Sequence, residues 1–284
     1  MSNPQHSKNI LITGGNAGIG LATAKALAGR GHSVIIACRN ADKANKAIRL
    51  IQNAVPNAQV SFRRLDLASL DGTRRFAAAF LQDFPSLDVL INNAGIYPKT
   101  QQFSQDGYEA QIGVNYLAPF LLTHLLLPAL DRCGDGRIVH LSSLMHNLGK
   151  IDYDSFRGRE NYSGTRAYAQ AKLANAMFNH ELARRLPSHI TTNALHPGGV
   201  ESDIYRDMPP WRYKLLKLFL ITAERAGGYI ANMAVAPQWQ SRSGEFKSAH
   251  GPMPVSRRCM RVPDNERLYL ESCRMVGIEP ITPN

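Results

Sequence analysis

Short apolar runs alternate with longer amphipathic stretches along this chain of 284 residues. Runs of strand length lie at Asn9–Thr13, Ser33–Cys38, Gln59–Phe62, Leu87–Asn92, Arg137–Ser142 and His189–Leu195. Between them fall stretches of helical period: Ala17–Arg30, stopped near Gly31, Ala41–Ala54, ended before Pro56, Leu70–Phe84, Gly107–Arg132 and Thr165–Leu186. Pro119 and Pro128 are expected to interrupt the fourth of these. A helix at Thr222–Ala236, a short strand near Glu245–Phe246 and a terminal helix at Asp264–Met275 complete the pattern. Strand–helix alternation predicts βαβ units, and right-handed crossovers wind them into an α/β fold. The expected architecture is a single doubly wound parallel sheet, a Rossmann fold, with helices on both faces. No repeat, low-complexity tract or Gly/Ser linker divides the chain, so residues 1–284 are expected to form one domain. The stretch from about 202 to 221 fits no alternation and is expected to be an insertion over the sheet's edge.

At 44% hydrophobic residues, the chain can bury a full core. Its four cysteines, Cys38, Cys133, Cys259 and Cys273, form no CxxC pair and no zinc-like spacing. They are expected to be reduced, mostly buried thiols, and no metal is expected. The polar opening Met1–Lys8 reads as neither signal peptide nor membrane anchor, so a cytoplasmic setting is expected. The net charge of +11 is scattered in short pairs such as Arg63-Arg64 and Arg257-Arg258. That distribution describes a solvated surface rather than a nucleic-acid face, with some attraction for an anionic cofactor.

Candidate chemistry begins between the first strand and the first helix. Gly14, Gly18 and Gly20 stand there in Thr13-Gly14-Gly15-Asn16-Ala17-Gly18-Ile19-Gly20. Glycines alone could make a tight structural turn. Placed at a helix N-terminus after a strand, they let phosphates approach backbone N–H groups and the positive end of the helix dipole. After the second strand the chain reads Ala37-Cys38-Arg39-Asn40, with no acid to hold a ribose 2′-hydroxyl. Arg39 facing a 2′-phosphate would contribute roughly 1.5–3 kcal/mol, which favours NADP(H). A solvent-facing arginine is the plainer alternative.

Tyr168 and Lys172 are four residues apart in a helical stretch and share one face. A free phenol titrates near pH ~10. An ammonium about 4 Å away contributes roughly 4 kcal/mol at an effective dielectric near 20, lowering that value by about three units. The phenol then exchanges protons near neutrality. With ten tyrosines in the chain such a pair is weak alone, and Tyr213 with Lys217 makes a second. That one lies in the irregular insertion and reads as packing or surface, whereas Tyr168 follows a strand ending in Ser142-Ser143. One serine of the two would hydrogen-bond a substrate oxygen, and strand alternation prevents both from pointing the same way. Asn115, inside a helical stretch, admits a capping or helix-kinking role as readily as a catalytic one.

Together these residues resemble the short-chain dehydrogenase/reductase family over nearly the whole chain. Thr13 to Gly20, including Asn16 and Ile19, is similar to its cofactor turn. Asn92-Asn93-Ala94-Gly95 is similar to its adenine-side motif. The resemblance implies a catalytic set of Asn115, a serine, Tyr168 and Lys172, with Lys172 also holding the nicotinamide ribose. It places Asp66 and Leu67 beside the adenine, and Pro197, Gly198 and Val200 near the nicotinamide. Where the family usually has threonine just beyond, Ser202 is the nearest hydroxyl. The retinol dehydrogenase-like branch is closer still, through Ala37-Cys38-Arg39, Leu141-Ser142-Ser143, Tyr168 to Asn175 and His196 to Val200. That branch implies Ser143 as the catalytic serine and NADP(H) as cofactor. The family often pairs subunits through the helix carrying Tyr168, so a homodimer is one expectation.

The leading expectation is an NADP(H)-dependent oxidoreductase acting on a lipophilic carbonyl or alcohol, with Asn115 linking a water relay to Lys172. A non-catalytic NADP(H)-sensing protein and a reductase of a carbon–carbon double bond are the alternatives. Residues 209–221 interleave Trp211, Tyr213, Leu215, Phe219 and Leu220 with Arg212, Lys214 and Lys217. They are expected to form a helical substrate lid, with a membrane-surface helix, and hence peripheral membrane contact, as its rival.

Overall fold

Parallel pairing throughout joins seven strands into one sheet of order β3-β2-β1-β4-β5-β6-β7. They are β1 (Asn9–Thr13), β2 (Ser33–Cys38), β3 (Val60–Arg64), β4 (Val89–Asn92), β5 (Gly136–Leu141), β6 (Ile190–His196) and β7 (Phe246–Ser248). The computed structural model describes residues 7–199, 220–249, 251 and 255–283. Helices α1 (Gly18–Ala28), α2 (Ala41–Ala54), α3 (Leu70–Asp83), α4 (Ala110–Ile112), α5 (Ala118–Arg132), α6 (Gly164–Ala183), α7 (Ala223–Val235) and α8 (Val262–Val276) surround it.

Strand alternation builds two cores. Ile10, Ile12, Val34, Ile36 and Ile91 face α1, α2 and α7. Leu11, Ile35, Leu90 and Ile138 face α3, α5, α6 and α8. Central β4, β5 and β6 are buried along their whole length, as strands covered on both faces must be. Helix starts are capped by side chains: Asn40, Ser69, Ser163 and Thr222 each accept a first-turn N–H. Where α7 crosses α1, a Cβ on Gly227 would lie 2.7 Å from the Ala22–Thr23 peptide, so only glycine permits that approach. On the far side, Tyr269 of α8 packs on Phe120 and His124 of α5 and Phe178 of α6.

Most expected elements appear within two or three residues of their expected ends. The expected interruptions at Pro119 and Pro128 do not occur. The chain instead runs helically from Ala110 to Arg132, with a π turn at Gly113–Leu117 between α4 and α5. Pro119 falls in the first turn of α5, where a missing N–H is tolerated, and Pro128 is absorbed in the last turns. This helix is long and apolar enough to cross a membrane, yet it is mostly buried inside the fold as a core element. The third strand is shifted to Val60–Arg64 because β2 pairs with it as far as Cys38 and Arg64. The last strand, expected near Glu245–Phe246, is Phe246–Ser248, set by pairing with the end of β6. Cys38, Cys259 and Cys273 are buried and Cys133 half-buried, all as free thiols. Of the expected lid, 202–219 lies outside the described residues. Its end returns to the sheet, the Ile221 N–H donating to the Gly199 carbonyl at 2.8 Å.

Candidate active site

Strand order reverses between β1 and β4, and a cleft of about 1930 Å³ opens over the carboxyl ends of the strands there. The glycine turn forms one end. Gly14 (φ +68°) and Gly18 (φ +52°) occupy the left-handed region that favours glycine. A Cβ on Gly20 would stand 2.4 Å from the Gly14 carbonyl oxygen, so the turn closes only on a hydrogen. A Cβ on Gly18 would meet nothing within 4 Å, in space that opens on the cleft. These positions form a cradle that side chains would fill, and that fits a diphosphate lying across the N-terminus of α1.

Side chains beneath staple the turn to β4. The Thr13 hydroxyl accepts the Asn93 and Ala94 N–H groups, each at 3.0 Å. The Asn93 amide donates to the carbonyls of Thr13 (2.8 Å) and Gly14 (3.3 Å). Asn93, expected as a cofactor contact, thus lines the cleft while its amide nitrogen braces the cradle. Asn92 points the other way and donates to the Thr123 hydroxyl on α5 at 2.9 Å.

Arg39 stands exposed on the cleft wall beside Lys43, with Asp66, Leu67, Ala94 and Gly95 also lining it. Asn16, Ile19, Pro197 and Gly198 line it as well, whereas Val200 and Ser202 lie outside the described residues. Asp66 is the sole acid lining the cleft among the described residues, and its carboxylate accepts the Ala68 N–H at 3.0 Å. Lys43 and Arg225 are further cleft cations that sequence reasoning missed. For Lys43 a signal existed, since it sits one helical turn past Arg39.

At the other end Ser143, Tyr168, Lys172 and Asn115 converge. Alternation past β5 separates the two serines. Both line the cleft, but Ser142 is buried and donates to the Lys172 carbonyl at 2.9 Å, whereas Ser143 is half-buried and accepts the Met145 N–H at 3.3 Å. Tyr168 also lines the cleft, with the Tyr97 ring edge-on to its own at 5.1 Å between centroids. Lys172 is only 5% exposed, and its ammonium donates to the Leu141 carbonyl at 2.8 Å. The ammonium lies 5.4 Å from the centre of the Tyr168 ring. Burial pushes the lysine down to about 8, because leaving water disfavours the charged form.

Asn115 sits in the π turn. Its side chain accepts from the Ile96 N–H (2.8 Å) and donates to the Ile96 carbonyl (2.9 Å). Asn175 on α6 donates to the Asn115 carbonyl at 2.9 Å. The two polar groups meet near Gly95, where a Cβ would lie 3.5 Å from Asn115 Oδ1 and 3.8 Å from Lys172 Nζ. Asn115 therefore has the kinked-helix position, and its side-chain oxygen and the lysine ammonium both lie near Gly95. His146, also missed, is buried with Nε2 accepting the Ser256 N–H (3.2 Å) and Nδ1 at 2.6 Å from the Ser143 carbonyl. A backbone N–H can only donate, so the proton of this neutral ring sits on Nδ1. Burial depresses its pKa and favours that neutral form. Ile96, Phe103, Val114, Leu144 and Met145 give this end of the cleft an apolar wall.

The family described as short chain dehydrogenase matches residues 8–212. Retinol dehydrogenase 11 from Mus musculus is 41% identical over 274 residues, covering 95% of this chain and 87% of that protein. A crystal structure of a Mycobacterium paratuberculosis protein matches with a TM-score of 0.79 at 34% identity, covering 96% of this chain and 94% of its own. A short chain dehydrogenase from Burkholderia cenocepacia in complex with NADP matches with a TM-score of 0.69 at 27% identity, covering 87% and 97% respectively. The sheet, the cleft at its reversal point and these likenesses agree: the chain belongs to the short-chain dehydrogenase family of oxidoreductases, in its retinol dehydrogenase-like branch.

Proposed function

We propose that the protein is an NADP(H)-dependent oxidoreductase of a lipophilic carbonyl or alcohol, with Tyr168 as general acid and base. One observation carries this reading: Ser143 and Tyr168 line one cleft, with the Lys172 ammonium 5.4 Å from the tyrosine ring. A bound nicotinamide supplies the hydride donor or acceptor. In reduction, Tyr168 gives its phenolic proton to the substrate oxygen; in oxidation it takes that proton back. Ser143 already accepts from Met145, so its own proton is available to the substrate oxygen, where it steadies developing negative charge. Lys172 favours the phenolate by its charge, and Asn115 shapes the floor beneath it and completes a water relay.

Arg39, with Lys43 beside it and no acid at the end of β2, supports NADP(H) over NAD(H). The apolar wall around Phe103 and Met145 supports a lipophilic substrate, and retinol in the names of relatives belongs to that class.

The test is NADPH oxidation against a panel of lipophilic aldehydes and ketones, retinal included, with NADH in parallel. Turnover should require NADPH, and Tyr168→Phe should lower kcat by about 10²–10⁴-fold while NADPH still raises Tm. Near-normal turnover in that variant would remove the tyrosine from its role. Equal stabilisation by NADH and NADPH would remove Arg39 from its own.

A further inference from the structure

A tyrosine on a helix has two accessible χ1 rotamers, and passing from one to the other swings its hydroxyl by several ångströms. Tyr168 is half-buried on the cleft wall, and its own helix does not decide between them. A neighbour must. The Tyr97 ring stands 5.1 Å away between centroids with 78° between the planes, the perpendicular arrangement that aromatic pairs favour.

Tyr97 is itself held from three sides. On one flank the Asn115 side chain takes up both backbone groups of Ile96, at 2.8 and 2.9 Å. On the other, the Gln111 amide nitrogen donates to the Pro98 carbonyl at 3.4 Å and to the Gly164 carbonyl at 2.9 Å. A Cβ on Gly164 would lie 2.6 Å from that Pro98 oxygen, so the segment 96–98 is pressed onto the first residue of α6. The third hold is the ring's own hydroxyl, 2.8 Å from the Thr165 hydroxyl. Thr165 lies three residues before Tyr168, on the same helix face.

Gln111 stands in α4 and Asn115 in the π turn, so one irregular stretch of helix fixes the backbone on both sides of Tyr97. Tyr97 is half-buried and lines the cleft, and its ring belongs to neither core. The brace therefore ends on the cleft wall, against Tyr168.

We propose that Tyr97 is a positioning residue: its ring, fixed through Ile96, Pro98 and Thr165, holds the Tyr168 side chain in the orientation that faces the cleft. The effect on turnover rests on the proposed function, whereas the hold on the side chain does not. Reacting groups must meet within about 3–3.5 Å, and small misplacements cost large factors in rate. Tyr97 thus acts on kcat and leaves the affinity for either ligand alone.

The experiment compares Tyr97→Leu, Tyr97→Phe and Tyr168→Phe with wild type, by steady-state kinetics and by NMR of the full chain with isotope-labelled tyrosines. The signal lost in Tyr168→Phe identifies Tyr168, and its scalar couplings report χ1. Tyr97→Leu keeps apolar bulk but removes the perpendicular ring. It should lower kcat about tenfold at unchanged Tm, with KM and NADPH affinity within about twofold. Its Tyr168 couplings should average between two rotamers. Tyr97→Phe loses only the bond to Thr165, so it should recover kcat to within about threefold of wild type and keep the wild-type couplings. Wild-type couplings or wild-type kcat in Tyr97→Leu overturn the proposal, as does a loss confined to KM. A phenylalanine variant as slow as the leucine one overturns it too. Averaged couplings alongside a fully active Tyr168→Phe would leave the hold standing and defeat the catalytic reading alone.

Discussion

The two ends of the cleft are built on opposite principles. At the glycine end the working surface is backbone, and what matters is the absence of side chains: Gly20 has 2.4 Å of room where a Cβ would stand. At the tyrosine end the working surface is side chain: Lys172 donates to the Leu141 carbonyl, Asn115 exchanges bonds with the Ile96 backbone and Ser143 accepts from the Met145 N–H. The first end fails when atoms are added, the second when they are taken away. Cofactor affinity and turnover should accordingly respond to separate sets of substitutions.

The largest effect should follow Gly20→Ala. The new methyl meets the Gly14 carbonyl and the Asn93 amide, so the turn must open and NADPH should no longer raise Tm. If NADPH protects the variant as it does wild type, the cradle is not where the cofactor lies. Next comes Lys172→Met, expected to lower kcat by about 10²-fold or more while NADPH binding falls far less. Its Tm at pH 7 should hold or rise, because a buried cation with a depressed pKa is a cost of folding. A marked loss of Tm would make Lys172 a structural residue first. Arg39→Gln should weaken NADPH about ten- to a hundredfold and leave NADH unchanged, which isothermal titration would measure.

The smallest effect is a pH limb. Lys172 is cationic below its folded pKa of about 8, so its assistance is complete at lower pH and fades above that value. Log kcat should bend downward near pH 8, displaced upward if bound phosphates stabilise the cation. An unfolded lysine keeps its proton to about pH 10.4, so across that window this group makes stability rise with pH while activity falls. A kcat flat to pH 10 would separate Lys172 from the reaction.

Much of this contrast is legible in the amino-acid string. Glycines after a first strand, an arginine after the second and a tyrosine–lysine pair one turn apart are local patterns. The periodicity of β1, β2 and α2 puts their limits at the observed residues. The choice between Ser142 and Ser143 is less local; alternation says only that they diverge, and the contact with Lys172 carries Ser142 inward. What stays hidden is whatever depends on a distant partner. Thr13 reads as an ordinary strand end until Asn93 and Ala94 arrive from 80 residues away. Pro119 and Pro128 look like breaks because local rules cannot weigh the tertiary packing that buries most of that helix. Arg225 reaches the cleft only through a chain crossing that no spacing reveals, and His146, three residues past Ser143, gains a partner in Ser256 from 110 residues away.

The π turn at Gly113–Leu117 has a consequence for how this helix can vary. Its surplus residue is a length marker: removing one residue there would let the helix rewind to ordinary pitch with a better ladder of backbone bonds. The same deletion would leave the flanking turns in register but remove the bulge that carries the Asn115 side chain to Ile96. A chain lacking that residue could keep a sound helix and still forfeit the juxtaposition of Asn115 with Ile96, so indels in this short span should be tolerated by folding far more readily than by turnover.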